Sequence, residues 1–164
     1  MKIFIMLIFT IVLFSACLFD NETELSTFPF EFVAEDLYGN TVTHASLGER
    51  DFFLLYFWAT WCGSCIDSMP DLAALAHEFG ERVGFVSLLE DFQFGKESAI
   101  QITEDLNIPF FTMDIYNSDF ETFTHFVDSG FVPTAAIIDT DGNMVGDMII
   151  GTSRIRAAIE ALGD

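Results

Sequence analysis

The chain reads Phe57-Trp58-Ala59-Thr60-Trp61-Cys62-Gly63-Ser64-Cys65 at the point where an apolar run meets a pair of cysteines. That run starts at Phe52 and is continuously apolar and aromatic, which is typical of a strand buried on both faces. Beyond Cys62, apolar residues recur at threes and fours until Gly80, which predicts a helix that Pro70 should kink. We therefore expect Cys62 to lie where a buried strand is followed by a helix.

This placement of the cysteines favours redox chemistry. The sulfur of Cys62 should meet the unpaired N–H groups and the positive dipole end of the helix, which stabilise a thiolate. Lowering a thiol pKa from about 8.5 to about 7 raises the ionised fraction at pH 7 by roughly fifteenfold. Cys65 lies one turn further along, and Gly63 and Ser64 keep the turn open to a partner disulfide. Cys65 can then attack the mixed disulfide and release the product.

Two structural roles for the same cysteines are weaker alternatives. A disulfide across so short a loop would stabilise the fold by only roughly 2 kcal/mol in the chain-entropy description. A zinc site would need two further ligands, and His44, His77 and His125 show no paired spacing. The sequence therefore predicts neither a metal site nor a cofactor.

The N-terminal residues have the pattern of an export signal. Lys2 precedes the apolar run Ile3 to Phe14, and the small pair Ser15-Ala16 precedes Cys17. The run is shorter than the roughly 20 residues of a membrane-spanning helix, although a retained anchor and plain cleavage stay open. The stretch resembles the bacterial lipoprotein signal, apart from Phe14 in place of the usual leucine, which implies lipidation at Cys17. We expect a signal peptide over residues 1–16, an acidic tether over 17–27 and one domain over 28–164.

Composition limits the possible partners. The net charge is −20, from 26 acidic residues against six basic ones. Such a charge effectively excludes nucleic acid and repels anionic lipid, so that membrane attachment depends on the N-terminal anchor. The 20 phenylalanines indicate a strongly apolar core.

The remaining pattern alternates strands and helices. A β-hairpin is expected at the sheet edge, from Phe30–Val33 and Thr41–Thr43 around a turn at Gly39. Further strands are predicted at Val83–Leu89, Phe111–Ile115, Thr134–Asp139 and Met144–Ile150, and helices at Ser98–Leu106, Asp119–Val127 and Ser153–Leu162. This order predicts an α/β sandwich with a mixed central sheet and an N-terminal β-hairpin.

The sequence from Phe57 to Cys65, with Met69-Pro70 and Val132-Pro133-Thr134, resembles the thioredoxin superfamily. Within it the resemblance is closest to TlpA/ResA-type extracytoplasmic thiol-disulfide oxidoreductases, which have a redoxin or AhpC/TSA-like domain and a three-layer sandwich fold. It implies that Cys62 is the nucleophile and Cys65 the resolving thiol. It also implies that Pro133 is a cis-proline facing the pair and that Trp61 shields it. The backbone of Val132, together with Gly63 and Ser64, is then expected to meet a bound client.

This resemblance implies a membrane-anchored extracytoplasmic enzyme that reduces disulfides of exported proteins, such as apocytochrome c, with electrons from a membrane thiol donor. A non-catalytic binding module and a thiol peroxidase are the alternatives. A peroxidase would need a threonine three residues before its cysteine, whereas Thr60 is two before Cys62. A related copper-delivery protein would need a wider cysteine spacing.

Two departures from the family pattern concern the resolving thiol. Thioredoxins have a buried aspartate where this chain has Tyr56, and many TlpA/ResA-type proteins have a glutamate where it has Ser68. Asp67 cannot substitute, because at about 100° per residue it points some 200° away from Cys65. We expect Cys65 to rely on water, or on a carboxylate from elsewhere in the fold, when it loses its proton.

Overall fold

The fold is built on a five-stranded mixed sheet. The computed structural model of the chain describes residues 31–120 and 131–163. Its strands are β1 (Val33–Glu35), β2 (Thr41–Thr43), β3 (Phe52–Trp58), β4 (Val83–Leu89), β5 (Phe111–Asp114), β6 (Thr134–Asp139) and β7 (Ile149–Ile150). Its α-helices are α1 (Gly63–Phe79), α2 (Phe92–Asp105) and α3 (Ile155–Glu160). The sheet order is β5-β4-β3-β6-β7, so that β3 lies at the centre.

The three innermost strands have the bounds that their apolar runs predict. In β3 every residue after Phe52 is buried, in β4 all residues are buried, and in β6 all but Asp139 are buried. β3, β4 and β5 are parallel, whereas β6 and β7 run antiparallel to them. Because parallel strands end at one edge of a sheet, the segments that follow β3, β4 and β5 lie together there.

Each face of the sheet has its own hydrophobic core. On one face, side chains from α1, α2 and α3 pack on alternate residues of β3, including Leu54, Tyr56 and Trp58. On the other, Phe53, Leu55 and Phe57 pack against residues of the β1–β2 hairpin and of the 3-10 helices His44–Leu47 and Ser118–Phe120. Alternate side chains of β3 therefore belong to two different cores, one on each face of the sheet, which confirms the α/β sandwich.

The N-terminal hairpin forms where the turn residues predict it, but its first strand is displaced. The expectation of a strand at Phe30–Val33 is wrong for its described part, because β1 starts at Val33. β1 and β2 form a separate two-stranded sheet around Gly39, whose φ is 79°. A single bridge from Asp36 to Met113 places this hairpin beside β5, the edge strand of the main sheet.

The second helix is longer than its pattern suggests. The predicted start at Ser98 is wrong, since α2 begins at Phe92. Phe94 is 96% exposed, so the apolar positions of the first turn do not point in one direction, and Gly95 lies inside the helix instead of breaking it. Sequence periodicity alone therefore misses this turn.

The C-terminal elements are shorter than expected. Met144 to Ile150 is not one strand: Met144 forms a lone bridge to Ile138, and only the last two residues form β7, after Gly146 with a φ of 76°. The last helix starts at Ile155, and Ser153 does not cap it.

Three expectations concern residues outside the described part of the chain. They are the signal peptide and Cys17, the tether over 17–27, and most of the helix predicted at Asp119–Val127. Its described residues, Asp119 and Phe120, belong to the 3-10 helix Ser118–Phe120. Among the helices in residues 31–120 and 131–163, none is both long and apolar enough to cross a membrane.

Candidate active site

The two cysteines that the sequence pairs are joined. Cys62 and Cys65 form a disulfide with an S–S distance of 2.02 Å, at the point where β3 gives way to α1. Cys62 is 6% exposed and Cys65 is completely buried. Because only Cys62 reaches the surface, an incoming disulfide can meet its sulfur first, which fits the order of attack expected from the sequence.

The sulfur of Cys62 occupies the N-terminal end of α1. Cys62 is the N-cap residue, and its Sγ accepts a hydrogen bond from the backbone N–H of Cys65 at 3.2 Å. The Ser64 hydroxyl lies 3.6 Å from the same sulfur. An N–H donor and the positive end of the helix dipole both favour negative charge on sulfur, so this arrangement stabilises a Cys62 thiolate once the disulfide is reduced. The predicted contact between this sulfur and the helix N-terminus is confirmed.

The two tryptophans have different environments. Trp58 is fully buried, and its indole N–H donates to the Ser87 hydroxyl at 2.9 Å, so it belongs to the core. Trp61, beside Cys62, is 67% exposed, and the neighbouring Gly63 and Ser64 are also exposed. These three exposed residues adjoin Cys62 and Cys65 in the chain, and their predicted roles stay predictions.

The proline that the resemblance singles out is cis. The Val132–Pro133 peptide bond has this geometry, and Pro133 immediately precedes β6. In the β3–β6 register Phe57 pairs with Thr134, which places Pro133 alongside the end of β3, where the segment to Cys62 begins. The fold therefore brings Val132 and Pro133 to the same edge of the sheet as the disulfide.

A pair of hydroxyl groups lies at the two positions where carboxylates are missing. The Tyr56 hydroxyl is 3.1 Å from the carbonyl oxygen of Cys65 and 3.1 Å from the Ser68 hydroxyl. The Ser68 hydroxyl also lies 2.9 Å from the Cys65 carbonyl and 3.0 Å from that of Ser64. Burial raises the pKa of Tyr56 to about 12, although its bond with Ser68 acts in the opposite direction. Both groups therefore stay protonated at neutral pH, while Asp67 is exposed, as its helix angle predicts.

A second contact that the sequence reasoning missed involves Thr60. Its backbone N–H and its hydroxyl both donate to the carboxylate of Asp91, at the start of α2. A signal for this contact is present in the sequence pattern. Thr60 is two residues beyond the end of β3 and Asp91 two beyond the end of the neighbouring parallel β4, so the two occupy equivalent positions at one sheet edge.

Comparison with known proteins agrees with this geometry. A thioredoxin-like protein, YneN, from Bacillus subtilis is 30% identical over 105 residues, which are 60% of this chain and 56% of that protein. The chain spans between 32% and 56% of the length of the curated relatives that it matches.

Solved structures resemble most of the chain. A thiol:disulfide interchange protein of the thioredoxin family from Chlorobium tepidum superposes with a TM-score of 0.65 at 25% identity, covering 84% of this chain and 97% of that one. The exposed lipoprotein thioredoxin Etrx1 of Streptococcus pneumoniae has a TM-score of 0.62 at 21% identity, covering 81% and 98%. The fold is thus that of thioredoxin, as the sequence predicts. The AhpC/TSA family matches residues 26–146, and the chain belongs to this family within the thioredoxin superfamily.

Proposed function

We propose that this protein is an extracytoplasmic thiol-disulfide oxidoreductase, held at a membrane by its N-terminus, that reduces disulfides of exported proteins. One observation carries the proposed exchange: Cys62, the more exposed cysteine of a disulfide, accepts a hydrogen bond from a backbone N–H at the N-terminus of a helix, while its partner is completely buried. This arrangement gives one activated sulfur and one protected sulfur, which are the two components that disulfide exchange needs.

Exchange follows from these positions in two steps. The Cys62 thiolate attacks one sulfur of a client disulfide, so a Cys62–client bond forms and the second client sulfur leaves as a thiolate, which takes a proton from water. Cys65 then loses its proton and attacks Cys62 Sγ. The Cys62–Cys65 bond forms, the client bond breaks, and the client has gained two electrons and two protons. A membrane dithiol donor returns the protein to its reduced form by the reverse steps.

The contacts of Thr60 favour exchange over peroxide reduction, the alternative that shares this fold. Its hydroxyl donates to Asp91, and Cys62 is bonded to a cysteine only three residues away. The location and the clients rest on the export signal pattern and on the resemblance. The structurally similar Etrx1 of Streptococcus pneumoniae is an exposed lipoprotein, which agrees with an extracytoplasmic site.

Dithiothreitol-dependent reduction of insulin tests the proposed activity. The wild-type protein should accelerate insulin precipitation, and Cys62→Ser should lower the rate to that of dithiothreitol alone because the attacking sulfur is gone. Hydrogen peroxide consumption, measured alongside, should not rise above background. Insulin that binds without being reduced would identify a binding module, and rapid peroxide consumption would identify a peroxidase.

The anchor is tested separately at Cys17. Because a single acyl chain binds membranes only marginally, a lipoprotein-type modification with several chains should hold the protein in the membrane fraction. We expect mass spectrometry of the native protein to show an N-terminal, lipidated Cys17, and Cys17→Ala to change the membrane fraction. An unmodified Cys17 in the native protein would refute lipidation.

A further inference from the structure

The loop that leads into the dithiol is bound to a carboxylate from another strand end. Thr60 N–H donates to Asp91 Oδ1 at 3.0 Å, and the Thr60 hydroxyl donates to Asp91 Oδ2 at 2.5 Å. Both carboxylate oxygens thus accept from one residue, two positions before Cys62. Hydrogen bonds to a carboxylate are stronger than bonds between neutral groups, so this contact fixes the loop to the start of α2.

The side chain of Asp91 does not cap the helix α2, which begins directly after it. It occupies the N-cap position of α2, where an aspartate ordinarily accepts from the first free N–H groups of its helix. Here the side chain makes no such bond, and the helix relies on the backbone carbonyl of Asp91, which accepts from the N–H groups of Phe94 and Gly95. The carboxylate therefore binds Thr60, in the loop between β3 and Cys62, and not its own helix.

Gly95 supplies an independent sign that this contact is tightly enclosed. A Cβ at Gly95 would lie 2.6 Å from Asp91 Oδ2 and 2.9 Å from Thr60 Cγ2. Both distances are well below ordinary van der Waals contact. Glycine is unfavourable inside a helix, and α2 has one where a Cβ would collide with both Asp91 and Thr60, so that their contact would have to shift.

We propose that Asp91 is a positioning residue which, through Thr60, holds the sulfur of Cys62 on the N-terminus of α1. Thr60 and Cys62 lie in the same turn, which is closed by the Cys62 N–H donating to the Ala59 carbonyl at 3.1 Å. Fixing Thr60 therefore fixes where Cys62 enters the helix. The assignment rests on the proposed role of Cys62 as the attacking thiolate, because the contact from the Cys65 N–H stabilises charge only when the sulfur stays in place.

The test measures the alkylation of Cys62 by iodoacetamide in the reduced protein from pH 5 to 9. Cys65 is buried, so the rate reports the Cys62 thiolate and needs no client. Thr60→Val removes the hydroxyl bond and should slow alkylation at pH 7 by about threefold, the equivalent of half a pKa unit. Thr60→Ser keeps the hydroxyl and should react as the wild type does.

Thr103→Val is the matched control, because Thr103 donates its hydroxyl to the Ala99 and Ile100 carbonyls within α2 and should leave the rate unchanged. If Thr60→Val does not fold, Gly95→Ala is the second variant. Alanine favours the helix, whereas its Cβ displaces Asp91, so the same slowing of alkylation is expected. Wild-type rates in both Thr60→Val and Gly95→Ala, or equal slowing in Thr103→Val, would overturn the proposal. A failure of insulin reduction with these rate changes intact would refute the proposed activity and leave the positioning role standing.

Discussion

A Cys65→Ser variant is expected to accumulate as mixed disulfides with its clients. Cys62 keeps its partial exposure and its helix N–H contact, so attack survives. Resolution does not, because the sulfur that bonds to Cys62 in the oxidised protein is that of Cys65. An external thiol at millimolar concentration must then replace an intramolecular attack, and insulin turnover should fall by about 100-fold or more.

Non-reducing electrophoresis of cell envelopes checks this expectation. Adducts that disappear on treatment with dithiothreitol should form with Cys65→Ser and not with Cys62→Ser, which removes the attacking sulfur. Adducts in Cys62→Ser alone would mean that the roles of the two cysteines are reversed.

The pH dependence of resolution should be steep, and Ser68→Glu should flatten it. The groups hydrogen-bonded beside Cys65 are the hydroxyls of Tyr56 and Ser68, and the pKa of Tyr56 is raised to about 12 by burial, so neither accepts a proton between pH 5 and 9. The rate of Cys65 attack should then follow its thiolate fraction, about tenfold per pH unit below the thiol pKa. A glutamate at position 68 would add a proton acceptor, and we expect a gain of about tenfold or more at pH 6.

Stopped-flow measurement of mixed-disulfide resolution from pH 5 to 9 separates the explanations. Ser68→Gln is the matched control, since it has the same size as glutamate and cannot ionise. If it accelerates resolution as Ser68→Glu does, packing and not proton transfer is responsible. A wild-type rate already flat over this range would show that the missing carboxylate does not matter.

The parts of the fold that the sequence predicts residue by residue are those where one signal dominates. The strands β3, β4 and β6 are short continuous apolar runs bounded by turns. This pattern is typical of strands that are buried on both faces of a sheet. The position of Cys62 at a helix N-terminus follows from the same strand boundary. The predicted start of α2 is wrong because its first turn contains the exposed Phe94 and Gly95, a glycine that is required by the close approach of Asp91 and Thr60.

The environment of the cysteines depends on contacts that local pattern does not contain. The Tyr56 and Ser68 hydroxyls meet only because α1 packs over β3. The sequence shows that the two carboxylates are missing, but it does not show that a pair of bonded hydroxyls takes their place. Thr60 and Asp91 are 31 residues apart and meet through the parallel register of β3 and β4. Aligning the two strand ends would have indicated this pair, whereas the bond itself depends on Gly95 leaving room.

The reduction potential of the Cys62–Cys65 couple, titrated against glutathione or dithiothreitol, tests most directly whether this disulfide exchanges or is a structural staple. A reductant of exported clients should have a midpoint from about −270 to about −180 mV, within the range of thioredoxin-fold proteins and towards its reducing end. A midpoint below about −300 mV is typical of structural disulfides and would contradict the account.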